Sequence, residues 1–259
     1  MNLSQRVDAL LERVEKPVRY MGGEFGCTVK DPSSVDVRYA FLFPDTYEVG
    51  MSHLGMKILY HAINAREDAL CERVFSPWVD MAALMRAENM PLFTLESRTP
   101  VREFDLLGVT LQYEMSFSNI LEALDLAGIP LRSAERTSGP FVICGGPCAF
   151  NPEPLAPFVD LFVLGDGEVS THQTIDAFKQ WKASGLPREE YLRTLIMGKE
   201  IHPRPCTHHA ELVRQISGLC NNANQLAHRA NSTGVAGQQS VDEMTRVAKE
   251  VCLTIKENY

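Results

Sequence analysis

Residues 141–168 read FVICGGPCAFNPEPLAPFVDLFVLGDGE. Two short apolar runs, 141–144 and 161–164, each stop at glycines: Gly145 and Gly146 after the first, Gly165 and Gly167 after the second. A brief apolar run halted by a turn is the pattern of a parallel strand buried on both faces. Glycine just past such a strand lets a ligand approach backbone that a Cβ would shield. Two such ends, joined by a proline-punctuated connection, predict the lip of an α/β sheet with these glycines facing a ligand.

The pattern continues upstream. A helix is expected over 3–15, with Leu3, Val7, Leu10, Leu11 and Val14 on one stripe, closed by Lys16-Pro17. The glycine-rich 19–26 is irregular. Strands are expected at 37–43, 71–75 and 106–112, a short strand or extended segment at 92–95, and helices at 51–65, 81–87, 117–127 and 168–184. On the helix at 51–65, Leu54, Ile58, Ala62 and Ala65 recur at helical spacing, and on 117–127 Phe117, Ile120, Leu121 and Leu124 do. Strands alternating with helices predict an α/β, flavodoxin-like, doubly wound parallel sheet of about five strands. Beyond Pro187, Leu212, Ile216, Leu219, Ala223, Leu226 and Ala230 form one seam, and Val241, Met244, Ala248, Val251 and Ile255 another. With STGVAGQQS between them, they predict a C-terminal helical hairpin suited to a protein partner or self-association. The expected organisation is a lead-in over 1–36, an α/β domain over 37–186 and the hairpin over 187–259.

Composition narrows the function classes. The chain has 259 residues, 45% of them hydrophobic and 22% charged, as in an ordinary globular protein. No run of about 18 apolar residues predicts a membrane span, and the charged amino terminus has no apolar signal core, so a cytoplasmic location is expected. Seven cysteines without framework spacing read as reduced thiols. Residues 1–196 carry 18 Lys and Arg against 27 Asp and Glu, whereas 197–259 carry seven against six. The acidic body argues against a nucleic-acid surface there. There is no phosphate-binding loop and no nucleophile elbow. Glu48, Glu114 and Glu168 stand singly, so no acid–base pair is expected. Cys206, His202, His208 and His209 lack tetrahedral metal spacing, so no metal site is expected.

After the first strand comes Asp45-Thr46-Tyr47-Glu48-Val49-Gly50. It fits a plain strand-to-helix turn, capped by Asp45 and relaxed by Gly50. It also fits the corrinoid-facing loop DxHxxG with Tyr47 at the His position. The wider sequence bears on that choice. FPDTYEVGMSHLGMKILYHAIN (43–64), FSPWVDMAALM (75–85), LLGVTLQYEMSFSNILEALDLAGIPLRS (106–133) and GGPCAFNPEPLAPFVDLFVLGDGE (145–168) resemble the amino-terminal region of bacterial radical SAM proteins that carry a cobalamin-binding domain. The resemblance covers about residues 15–195. It implies a corrinoid site at Asp45, Thr46, Tyr47, Gly50, Gly145, Gly146, Gly165 and Gly167. With Tyr47 in place of His, it implies cobalamin without a protein lower ligand.

Radical SAM chemistry needs CxxxCxxC to hold an iron–sulfur cluster. Cys144 and Cys148 supply CxxxC, but the third position is Asn151. Neither a cluster nor S-adenosylmethionine is therefore expected in this chain, and no catalytic residue is assigned. The tail, MGKEIHPRPCTHHAELVRQISGLCNNANQLAHRANSTG (197–234), resembles the carboxy-terminal half of plasmid mobilisation proteins, relaxosome accessory factors, over about 197–257. That resemblance implies contacts to DNA or a partner through Asn222, Asn224, Gln225 and Arg229. The tail's charge of only +1 implies weak nucleic-acid affinity. The two resemblances meet near Leu195-Ile196 without a linker, as in a fusion. Two functions follow as expectations: a corrinoid-binding module ahead of a radical SAM barrel, not catalytic alone, or a mobilisation accessory acting through the tail. A product with neither activity is the third reading.

Overall fold

The computed structural model describes residues 2–185. The chain divides into two units, Met1–Leu186 and Pro187–Tyr259, and the first is described below. The hairpin seams and the tail residues Asn222, Asn224, Gln225 and Arg229 lie outside the described residues.

Five strands form one sheet: β1 (Val37–Phe43), β2 (Ala69–Phe75), β3 (Leu106–Thr110), β4 (Phe141–Gly145) and β5 (Leu161–Val163). Their order is β2-β1-β3-β4-β5, and every pairing is parallel. This is the flavodoxin-like arrangement, with the strand order reversing between β1 and β3. The helices are α1 (Leu3–Leu11), α2 (Tyr47–Ser52), α3 (Leu54–Asn64), α4 (Val79–Ala87), α5 (Phe117–Ala127) and α6 (Gly167–Ser184).

Strand alternation divides the core in two. Ala40 and Leu42 of β1, Leu107 and Val109 of β3, and Val142 and Cys144 of β4 face α1, α4 and α5. Tyr39, Phe41 and Phe43, with Leu106 and Ile143, face α3 and α6. Each fully buried large apolar side chain contributes about 1.5–3 kcal/mol.

Three expectations need correction. The first helix stops at Leu11, short of residue 15, and its N-terminus carries a reciprocal Asn2–Gln5 capping box. Beyond it the chain turns onto α4, where Glu15 N donates to Asp80 Oδ2 at 2.7 Å. The helix over 51–65 is two helices, α2 and α3, broken at His53, whose backbone is extended. The stripe through Leu54 and Ile58 is the outer face of α3, with Leu54 69% and Ile58 43% exposed; Met56, Tyr60 and Ile63 are buried instead. At 92–95 the extended segment holds rather than the strand, with an isolated antiparallel bridge from Phe93 to Pro100. This segment lies along the outer edge of β2. Leu95 N donates to Arg73 O at 2.8 Å, and Arg73 N donates to Glu96 Oε2 at 2.7 Å. A side-chain carboxylate thus covers an edge that would otherwise expose backbone groups.

Candidate functional site

The loops after β1 and β3 flank the reversal of strand order, where open α/β sheets usually bind ligands. Here they are tied together. The Tyr113 hydroxyl donates to Asp45 Oδ2, and Asn119 Nδ2 donates to Pro44 O at 2.9 Å. Asp45 Oδ1 accepts from Thr46 N at 2.6 Å. The bond to Asp45, with some burial, pushes the Tyr113 phenol up to about 12. The open space lies elsewhere. A cavity of about 230 Å³ runs between α3, α6 and the carboxyl ends of β1, β3, β4 and β5.

Its walls are explained residue by residue. Phe41, Ile143 and Val163 supply an apolar floor from the strands, and Met56 and Leu59 a wall from α3. Opposite, α6 presents Gly167, Ser170, Thr171 and Thr174, all lining the cavity. These positions are spaced one helical turn apart and lie on one face. Ile175 and Phe178 below them are buried against the sheet and set the spacing of α6, and the small side chains leave the gap above unfilled. The Ser170 and Thr174 hydroxyls both donate at 2.8 Å to backbone carbonyls, of Asp166 and Ser170. They therefore offer only lone pairs to a guest. His53 lines the rim. Its Nδ1 caps α3 by accepting from Met56 N at 3.1 Å. In the neutral ring that leaves Nε2 carrying the proton as a donor. Among the described residues no lysine or arginine lines the cavity, and Glu168 is the one carboxylate that does.

Of the eight residues singled out for a cofactor, four line this cavity: Gly145, Gly146, Gly165 and Gly167. They differ in why they are glycine. A Cβ on Gly146, whose φ is +104°, would lie 2.8 Å from Leu111 O. Gly146 is thus required by the backbone itself. Gly165 has φ +103° but open space around it, and a Cβ on Gly145 would make ordinary contact with Val163 O at 3.6 Å. The other four stand apart from the cavity. Asp45 and Thr46 belong to the tied loop. The Tyr47 hydroxyl donates to Glu24 Oε1 at 2.6 Å, and its ring packs edge-on against Phe75 at 5.6 Å. Burial first, then the bond to Glu24, pushes this phenol up to about 12. Gly50 is a packing glycine: a Cβ would lie 2.3 Å from Phe75 Cε1.

Tyr39, His53 and the small stripe of α6 were not singled out from the sequence. Tyr39 sits in an apolar strand and reads as core. The stripe's signal was legible in principle, as small residues at helical spacing directly after a glycine-ended strand. Burial pushes the Cys144 thiol up to about 12, and burial, with Glu114 beside it, also raises Cys148. Among the described residues no cluster of metal-ligating side chains occurs, and no helix is long and apolar enough to cross a membrane.

Residues 177–230 match the family described as mobilization protein NikA, and 213–256 the bacterial mobilisation protein MobC. An uncharacterized protein of Methanocaldococcus jannaschii is 25% identical over 132 residues, which is 51% of this chain and 24% of that relative. The chain thus spans about a quarter of that protein's length. No solved structure matches. Residues 55–202, more than half of the chain, match the N-terminal region of radical SAM proteins. The chain therefore belongs to the radical SAM proteins through their N-terminal domain, to which segments of mobilisation-protein type are joined.

Proposed function

We propose that the described domain binds a corrinoid, with the base of its nucleotide tail in the α3–α6 cavity and its macrocycle over the glycine lip. The observation that carries this reading is the cavity itself, opening at the carboxyl ends of four strands between an apolar wall on α3 and a wall of small residues on α6. Sites for whole ligands run to about 300–1,000 Å³, so a cavity of about 230 Å³ suits one planar part of a larger guest. A lining with no lysine or arginine among the described residues suits a neutral ring better than a phosphate. When bound, a corrinoid supplies a cobalt centre for alkyl or electron transfer. This chain's own residues hold and shield the tail. Tyr47 is committed to Glu24, which supports binding without a protein lower ligand. Cluster and S-adenosylmethionine chemistry is not assigned to this chain.

The test is reconstitution with hydroxocobalamin followed by desalting. The wild-type protein is expected to keep the corrinoid's colour. Gly145 shares the sheet face of Ile143 and has room for a Cβ, so Gly145→Leu is expected to fill the cavity and lose the colour with an unchanged melting temperature. Colour retained by Gly145→Leu would refute the placement.

A second reading rests on residues 177–256, which match mobilisation proteins. In it the tail joins a relaxosome, with Asn222, Asn224, Gln225 and Arg229 contacting a protein partner or transfer-origin DNA. A gel shift on transfer-origin DNA that weakens steeply with salt is its expected sign. Absence of a shift at low salt would leave only the protein partner.

A further inference from the structure

Tyr39 is the unexplained polar group in the cavity. It stands in β1, only 6% exposed. Its neighbours on that strand face, Phe41 and Phe43, are apolar core. Its ring leans along the strands toward their carboxyl ends. In the register Tyr39 pairs with Leu106 and Phe41 with Gly108, yet the Tyr39 hydroxyl lies over Gly108, where a Cβ would sit 1.9 Å from it. Glycine at 108 is therefore what permits this ring position. The hydroxyl has no hydrogen-bond partner among the described residues, and the residue lines the cavity. A phenylalanine would fill the same space, so packing does not call for the hydroxyl, which faces the open cavity. Burial, with Cys71 and Cys144 nearby, pushes the phenol's titration upward, so it stays protonated and able to donate.

Three other polar groups lining the cavity are already engaged, while Thr171, half-buried on α6, is uncommitted among the described residues. The Ser170 and Thr174 hydroxyls are given to carbonyls, and Gln112 Nε2 donates to Thr110 Oγ1 at 2.6 Å. We infer that Tyr39 determines the cavity's specificity, its hydroxyl donating a hydrogen bond to a ring nitrogen of a planar heteroaromatic base held between α3 and α6. This rests on the corrinoid reading above and specifies which part of the guest is recognised, and by which atom.

The experiment compares wild-type protein with Tyr39→Phe, using hydroxocobalamin and dicyanocobinamide, which lacks the nucleotide base. Tyr39→Phe removes only the hydroxyl. Its melting temperature is expected to equal or exceed that of the wild type, because no protein hydrogen bond is lost. Its affinity for hydroxocobalamin is expected to fall about tenfold, the effect of one hydrogen bond to a buried acceptor. Its affinity for the cobinamide is expected not to change. A lowered melting temperature would show that the hydroxyl is bonded within the protein, and would overturn the inference. Unchanged cobalamin affinity, or an equal loss for both corrinoids, would overturn it while the corrinoid reading stands. A wild-type protein that holds neither corrinoid would overturn both.

Discussion

The two faces of the sheet are made from the same five strands and finish differently. Toward α4 and α5 the side chains close into a continuous packed core that also takes in Val7 and Leu10 of α1. Toward α3 and α6 the core is solid around Phe43 and Phe75 and, at its lower end, around Tyr60, Ile63, Ile175 and Phe178. Above them, small residues on α6 and glycines at the ends of β4 and β5 leave room. One face is spent on stability, and the other keeps part of its span for a guest.

The largest test of that contrast is a pair of leucine truncations. Leu124 of α5 is fully buried in the packed face, and Leu124→Ala is expected to cost about 3 kcal/mol. Leu59 borders the cavity and is only partly buried, so Leu59→Ala is expected to cost about 1 kcal/mol. Urea denaturation reads both, and equal losses would break the distinction. Adjacent glycines sharpen it next. Gly146→Ala meets Leu111 O in a conformation reserved for glycine, at a cost of about 2 kcal/mol. Gly145→Ala is expected to stay within about 0.5 kcal/mol.

The smallest effect concerns how α6, the cavity's outer wall, is tethered. Lys179 of α6 pairs with Asp68 at 2.6 Å and Asp36 at 2.9 Å, and Arg66 joins Asp68 at 2.8 Å and Asp176 at 2.6 Å. Hydrogen bonds from Arg66, then Lys179, hold the Asp68 carboxyl well below the usual carboxylate range. A folded-state value below the unfolded one stabilises above the unfolded value of about 3.9, and that stability drains away as pH falls toward the folded value. Asp68→Asn is therefore expected to cost about 1 kcal/mol at pH 7. Its melting curve should converge on the wild type's as pH drops below about 3.9. A gap that persists in acid would mean that packing, not charge, holds α6.

The strands were legible because each is a short apolar run with turn residues at both ends, and β1 and the glycine ends of β4 and β5 fell where expected. The facing of α3 was not, because the helix is apolar on both sides: Leu54 and Ile58 on one, Met56 and Ile63 on the other. Only the sheet decides which side is inward. Its break at His53 was hidden too, since a histidine whose ring nitrogen caps the next helix has no spacing signal. Gly50 looked like a ligand glycine, yet the reason for it is the Phe75 ring, which belongs to another strand. Four glycines of the candidate site were visible because glycines at strand ends leave a local mark. Tyr39 was invisible because what distinguishes it is a missing partner, which no linear pattern encodes.

The margin of the sheet at β2 carries a last consequence. Glu96 receives Arg73 N where a neighbouring strand's carbonyl would stand, and its carboxylate is pinned by the Arg73 guanidinium at 2.6 Å. A carboxylate satisfies that amide but has no N–H of its own to pass the pattern on. Extended peptides therefore find no template along that border, and any strand-on-strand recruitment into this sheet is turned away from it.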